Sequence, residues 1–387
     1  MRKLRMGMIG GGIGSFIGDV HRKASGLDGM IELVCGAFSS TAEKSKASGK
    51  ALLLPEDRCY GTFEEMILKE KELPEDIRMD FVSIVTPNHM HFGPARLALE
   101  NGFHVVCDKP LTLTVDEAKV LEKLVKSTGL HFALTHNYPG SPMVKQAKAM
   151  VKNGDLGKIR KVQVHYLQGW MATAVEDSGN KQAVWRVDPS KSGVGGALGD
   201  IGTHAHNMLE YVTGLKVKEL AADLGKFGKG RLLDDDGNIL LRLENGAKGT
   251  MSFSQIAVGE ENNFSIRVYG EKGSLEWHQE TPNELTTRWI DKPKVVYTPN
   301  GHELYPNAIA ASRIPAGHPE GYLEAFANVY KNFATHVNAS LTDTKIETPD
   351  YPTVYDGIRG VQFIHAAVES DKQNAAWVGL SSFTRRD

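Results

Sequence analysis

The sequence predicts an α/β fold in which an N-terminal, doubly wound parallel sheet is followed by an α+β domain with an open, mainly antiparallel sheet. Three observations predict it. Over residues 4–135 short apolar runs alternate with helix-length segments, a glycine-rich turn follows the first of those runs, and over 237–277 strand-like segments succeed one another without helices between them. At 387 residues the chain exceeds the size at which one core keeps growing, so two domains are expected, 1–136 and 137–387.

The first domain rests on five buried strands at 4–9, 31–38, 80–86, 104–107 and 131–135, each followed by a segment long enough for a covering helix. Strand–helix alternation of this kind gives right-handed crossovers and a Rossmann-like sheet. A helix over 141–152, ended by Asn153-Gly154, opens the second domain, and 158–167 then alternates apolar and polar residues as a half-buried strand does. Residues 237–256 read as a hairpin around Glu244-Asn245-Gly246, and 264–277 as another around Gly270-Glu271-Lys272-Gly273. Helices at 321–339 and 355–372 close the chain, and 173–196 and 297–320 read as long loops, which in compact domains often carry function.

Composition narrows the function classes. Charged residues are 24%, hydrophobic residues 41% and the net charge only −2, which argues against nucleic acid or a membrane surface as partner. Three cysteines, Cys35, Cys59 and Cys107, show no paired spacing and point to free thiols in a reducing compartment. The basic start, Met-Arg-Lys-Leu-Arg, precedes a stretch broken by glycines, which reads as a first strand rather than a signal peptide. No run approaches the roughly 20 apolar residues that span a bilayer, so a soluble, cytoplasmic protein is expected.

Two features carry chemistry. Gly10-Gly11-Gly12-Ile13-Gly14-Ser15 follows the first strand, where backbone N–H groups and a helix N-terminus suit a dinucleotide pyrophosphate, with Gly10, Gly12, Ile13, Gly14 and Ser15 in contact and Ser15 standing where the usual spacing has its third glycine. At the tip of the second strand an acidic residue would select NAD over NADP. Ser39 and Ser40 stand there with Lys44 one turn on, so either cofactor is admitted. Thr86-Pro87-Asn88, His91 and the Asp108-Lys109-Pro110 run fall at the C-terminal ends of the third and fourth strands, where such sheets bind ligands. Without a neighbouring cysteine or carboxylate cluster, His89 and His91 do not read as a metal site. The second feature is Asp200-Ile201-Gly202-Thr203-His204. Residues four apart share a helix face, so a carboxylate and an imidazole are expected about one turn apart, as a tuned general base requires. Asp200 as an ordinary helix N-cap and His204 as a hydrogen-bonded core histidine are the plainer readings.

In order along the chain, the glycine turn, Thr86-Pro87-Asn88, Asp108-Lys109-Pro110, His136-Asn137-Tyr138, Trp185-Arg186 and Gly199-Asp200 through His204 resemble the Gfo/Idh/MocA family of oxidoreductases. The resemblance implies a catalytic centre of Lys109, Asp200 and His204, with Asp108, Lys109, Asn137 and Arg186 added to the cofactor contacts. Two departures stand out: Asp108 replaces the usual glutamate, and Pro139 follows Tyr138 where many members have arginine. The implied substrate is a sugar, glycoside or cyclitol whose secondary alcohol loses hydride to the nicotinamide. An imidazole, with an ordinary pKa near ~6.5, suits the proton at neutral pH. In this reading His204 is the base, Asp200 and Lys109 orient the hydroxyl, and Lys109 also stabilises alkoxide charge. Tyr138, Gln168, Trp170, Trp185 and Arg186 would contact the sugar beside the catalytic triad, Tyr166 lies near them in sequence, and His318 is a weaker candidate. Lys181, Arg186 and Lys191 together make an acidic sugar conceivable. The main alternative is an NAD-dependent glycosidase that oxidises, eliminates, hydrates and re-reduces, with Tyr138 or His136 as second acid/base. A non-catalytic dinucleotide sensor would have no need of the three catalytic positions. An open sheet with an apolar face further suggests a homo-oligomer, a dimer or tetramer.

Overall fold

A computed structural model describes residues 2–383 apart from 343, 345 and 347, and without the side chain of Lys181. The chain divides into two compact units. The first runs to Asn137 and takes in Phe326–Ile358; the second comprises Tyr138–Ala325 and the chain from Arg359 on.

In the first unit β1 (Leu4–Gly10), β2 (Ile31–Ala37), β3 (Phe81–Val85), β4 (His104–Cys107) and β5 (Phe132–Leu134) form a parallel sheet in the order β2-β1-β3-β4-β5. The expected Rossmann-like sheet is present, each strand within two residues of its predicted ends. β1 and β3 are buried almost throughout, as strands covered on both faces must be, hence their unbroken apolar runs. The order reverses between β1 and β3, which places the ligand crevice of such sheets beyond the ends of these strands. Helix starts are written in hydroxyls: Ser15, Thr41, Thr62 and Thr114 each accept from a backbone N–H of the first turn, and Thr114 with Glu117 completes a capping box.

Asp80 fastens the entry of β3 to β1. Its carboxylate accepts from the Arg5 backbone N–H at 2.7 Å and pairs with the guanidinium groups of Arg5 and Arg2. Burial alone would raise this carboxyl, but Arg2 and Arg5 outweigh it and hold its pKa low. A depressed folded-state value contributes stability that is present above the unfolded carboxylate range and is lost as pH falls through the folded one. Asp80→Asn is therefore expected to cost about 3 kcal/mol in urea unfolding at neutral pH. The gap to wild type should close below about pH 4; a gap that persists unchanged in acid would remove the ion pair as its cause.

The second unit is built on a nine-stranded sheet. Its strands are β6 (Lys161–Leu167), β7 (Val217–Gly225), β8 (Asp236–Leu243), β9 (Lys248–Ser254), β10 (Asn263–Tyr269), β11 (Gly273–His278), β12 (Leu285–Trp289), β13 (Val295–Tyr297) and β14 (Val378–Gly379). The order is β13-β12-β11-β10-β6-β9-β8-β7-β14, antiparallel except for the parallel pair β6–β9. β6 buries every second residue, placing Val162, Val164 and Tyr166 in the core with Met208 and Leu209 of the helix Thr203–Thr213 and Met143 and Ala147 of the helix Pro142–Lys152. β7 and the strands at both sheet edges were not legible in the sequence. Lys-Glu-Leu-Ala-Ala-Asp in β7 has good helix formers, and it is pairing with β8 and β14 that makes it a strand. The segments 173–196 and 297–320 hold short helices, Lys181–Arg186, Pro189–Ser192 and Pro306–Ala310, rather than loop throughout. Among the described residues no helix is long and apolar enough to cross a membrane, and the three cysteines are buried free thiols.

Candidate active site

In the first unit the glycine turn is tighter than its spacing suggests. Gly10, Gly11 and Gly14 have positive φ, which glycine adopts at no steric cost. A Cβ on Gly12 would meet Phe38 O and Ser48 Oγ at 2.8 Å. The Gly12 and Ile13 N–H groups are already engaged, by Phe38 O and Ser48 Oγ respectively, while Ser15 caps the helix Phe16–Gly26 through the N–H of Gly18. Close packing of the helix against the turn is carried by Gly18. A Cβ there would lie 2.6 Å from the Gly11 carbonyl carbon and nearer still to its oxygen and Cα, and Arg22 also donates to the Gly11 carbonyl. Five residues separate Gly12 from Gly18, so the usual two-residue spacing concealed the role.

The other expected cofactor residues lie on the same unit, except Arg186, which belongs to the second. Ser39 is half-buried and Ser40 and Lys44 are exposed past β2; Thr86 and Pro87 are half-buried and Asn88 buried past β3. Asn137 is 2% exposed and its Nδ2 has no partner among the described residues, a buried donor of the kind a bound cofactor satisfies. Together with a turn in which Gly10 and Gly12 have no room for a Cβ, this donor fits a dinucleotide. His91 does not reach outward. It is fully buried with Nδ1 2.7 Å from Pro110 O and Nε2 3.0 Å from Thr86 O, so both ring nitrogens face backbone carbonyls. Asp108 is likewise committed inward, its Oδ1 accepting from Thr135 and His21, and Lys109 follows it half-buried.

The second unit gathers the predicted substrate residues. Asp200 lies in a π-helical turn, Leu198–Gly202, and His204 in the first turn of the helix Thr203–Thr213. Such turns recur at functional sites because they re-aim side chains that a regular helix would fix. Asp200 is no N-cap, since Gly202 holds that position. Its Oδ2 accepts from Arg186 Nε at 2.9 Å and from Gln255 Nε2 at 2.8 Å. Gln168 Nε2 donates to Asn262 Oδ1 at 2.9 Å, and Gln168 Oε1 accepts from Trp170 Nε1 at 3.2 Å. The guanidinium of Arg186 lies over the Trp185 ring, 4.3 Å from its centroid, and 5.9 Å from that of Trp170.

His204 is 8% exposed and packs edge-on against Tyr138, with ring centroids 5.0 Å apart. Tyr166 donates to Asn262 Oδ1 at 2.9 Å, so Tyr138, 2.6 Å away, must donate to Tyr166. Burial pushes the Tyr138 phenol up to about 12, which keeps it protonated at neutral pH. Tyr138 is thus a wall beside the imidazole, with its proton already committed. Asp234, buried beneath the π-turn, accepts from Gly196 N at 2.7 Å and Leu198 N at 2.6 Å and so fixes the start of the segment that carries Asp200; burial pushes its carboxyl up to about 6.

The charges once read toward an acidic sugar are largely paired: Arg186 with Asp200 and Lys191 with Asp188, while the Lys181 side chain lies outside the described residues. His318 is exposed near Pro315 O. Gln255, Asn262 and Asp234 escaped sequence reasoning because amides and acids beside strand ends are ordinary hairpin residues; only strand pairing brings 255 and 262 to 200 and 168.

Comparison with known proteins agrees with both halves of this geometry. Residues 4–136 match the model of the oxidoreductase family with NAD-binding Rossmann fold, and residues 144–276 match the GFO/IDH/MocA C-terminal domain. The chain is 35% identical over 382 residues to the uncharacterized oxidoreductase YfiI of Bacillus subtilis strain 168, covering 97% of each. It is 29% identical over 338 residues to levoglucosan dehydrogenase of Pseudarthrobacter phenanthrenivorans, covering 79% of this chain and 84% of the relative. An inositol dehydrogenase homolog from Azotobacter vinelandii, solved with NADH and myo-inositol, superposes with a TM-score of 0.89 at 34% identity over 98% of each chain. The chain therefore belongs to the GFO/IDH/MocA oxidoreductases and is an NAD-binding member of that family.

Proposed function

We propose that the protein is a dehydrogenase of a sugar, glycoside or cyclitol, oxidising a secondary alcohol to a ketone. The observation that carries this reading is the polar shelf of the second unit, in which Asp200, Gln255, Gln168 and Asn262 are linked side chain to side chain beside His204 and flanked by Trp170 and Trp185. Linked amides offer both donors and acceptors, which is what a ring of hydroxyls needs. The aromatic faces suit its C–H surfaces. Relatives named for levoglucosan and for inositol support the same substrate class.

Bound NAD supplies the hydride acceptor. His204 takes the hydroxyl proton, and Asp200, held by Arg186 and Gln255, orients that hydroxyl. Lys109 steadies negative charge developing on the oxygen. Gly10, Gly12, Gly14, Ser15, Thr86, Asn88 and Asn137 hold the cofactor. No carboxylate stands at Ser39-Ser40 to repel a 2′-phosphate, so NADP is to be assayed beside NAD.

The test is growth of reduced-nicotinamide absorbance with myo-inositol, levoglucosan and a panel of free sugars and glycosides. Cofactor-dependent oxidation of at least one is expected. Release of aglycone without accumulation of reduced cofactor would replace this reading with the glycosidase cycle.

We also assign the outer face of the nine-stranded sheet to a second copy of the chain. It exposes Leu240 and Trp377 around a cavity of about 420 Å³ that Ala222, Thr250 and Met251 also line, while the other face is filled by the unit's own helices. Sedimentation should show a dimer or tetramer, and Leu240→Glu should dissociate it; a monomeric wild type would sink the assignment.

A further inference from the structure

Lys109 is held from both sides by side chains that the redox reading leaves without a role. On one side Asp108 Oδ1 accepts from Thr135 Oγ1 at 2.5 Å and from His21 Nε2 at 2.9 Å. His21 belongs to the helix Phe16–Gly26 that follows the glycine turn. Its Nδ1 lies 2.6 Å from the Tyr330 hydroxyl, which is 2.7 Å from Ser83 Oγ on β3. On the other side the Pro110 carbonyl lies 2.7 Å from His91 Nδ1, and the second nitrogen of that ring faces Thr86 O at the end of β3.

Both histidines are fully buried. Neither has a ring nitrogen directed to solvent, so neither can exchange a proton with a substrate. What each can do is fix backbone. A carbonyl oxygen only accepts, so at the closer contact His91 presents its Nδ1–H to Pro110. Burial alone would raise the Asp108 carboxyl, but His21 and Thr135 outweigh it and hold its pKa low, so Asp108 accepts as a carboxylate. Charge-assisted contacts of this kind are shorter and about twice as strong as neutral ones. The residue before Lys109 is thereby tied to the helix of the glycine turn, and the residue after it to the His91 ring in the segment that follows β3.

We propose that His21 and His91 are positioning residues for Lys109, setting the strand end that carries its amine in register with the glycine turn and with β3. A lysine side chain is a flexible four-carbon stem, and any freedom in its backbone adds to that of the stem. The proposal rests on the reading of Lys109 as a functional group, and its test is arranged to separate the two.

His91→Leu, His91→Asn, His21→Leu and His21→Gln are compared with wild type. Asparagine at 91 keeps an amide N–H near the Nδ1 position, and glutamine at 21 keeps one near the Nε2 position. The leucine variants are expected to lower kcat about tenfold or more with NADH affinity unchanged, and the amide variants to recover most of the loss. Crystal structures should show the Lys109 backbone displaced in the leucine variants and in place in the amide ones. Where a leucine variant does not fold, His91→Gln and His21→Asn take its place, since each misplaces the amide. Wild-type turnover in the leucine variants, equal loss in leucine and amide variants, or an unmoved Lys109 would each overturn the proposal. If wild type oxidises no polyol yet Lys109 shifts only in the leucine variants, the dehydrogenase reading falls and the positioning role stands.

Discussion

Replacing His204 with alanine should cut turnover about a hundredfold or more while NAD affinity stays near wild type, because general-base catalysis contributes on that scale. The side chain sits at the start of a helix in the second unit, against Tyr138, whereas the glycine turn belongs to the first unit. In the proposed mechanism its loss removes the proton acceptor, and the substitution touches no residue of the glycine turn. Tyr138 cannot substitute, since its phenol is pushed up to about 12 by burial and its proton is donated to Tyr166. His204→Asn, which keeps polarity and loses basicity, should be as slow as alanine. Turnover in His204→Ala close to wild type would take the imidazole out of the mechanism, and a parallel loss of NAD binding would show that the substitution had disturbed more than the base.

The second large effect is expected at Gly18. A single methyl there has only backbone to meet, with the Gly11 carbonyl carbon at 2.6 Å, and backbone cannot swing aside as a side chain does. Overpacking of this kind costs about 3 kcal/mol or more, and it falls on the turn that must stay narrow for a dinucleotide. Gly18→Ala should lower the melting temperature and weaken NAD binding more than tenfold on the scale of about 1.4 kcal/mol per decade. Ser15→Ala supplies the contrast. It removes one N-cap bond, worth about 1 kcal/mol, and leaves the turn its width. If Gly18→Ala bound NAD normally and melted with wild type, the close approach of residues 11 and 18 would not be what shapes the turn.

These residues show how far one-dimensional reasoning reached. The five parallel strands were legible because both faces of the sheet are covered, which writes each strand as an unbroken apolar run. The hairpins β8–β9 and β10–β11 were legible because glycines mark their turns, Gly246 with positive φ in the first and Gly270 and Gly273 in the second. β7 was not, since its residues favour helix and one of its two partners, β14, lies far along the chain. Within the candidate site, Asp200 and His204 were singled out as candidates by their spacing. Gln255 and Asn262 were hidden because their role exists only once β9 and β10 have paired with their neighbours. His91 was placed at the right strand end but read as facing the cofactor, whereas its ring turns inward to two carbonyls.

What the chain determined by itself was the class of fold, the glycine turn and the residue types from which a site could be built, because apolar periodicity, turn chemistry and residue type are local properties. Tertiary structure alone decided which glycine admits the close backbone approach, which carboxylate is held by Arg186 and Gln255, and which histidines face inward to hold backbone. Those outcomes depend on hydrogen bonds and contacts between residues far apart in sequence, and such partners are chosen only when the chain folds.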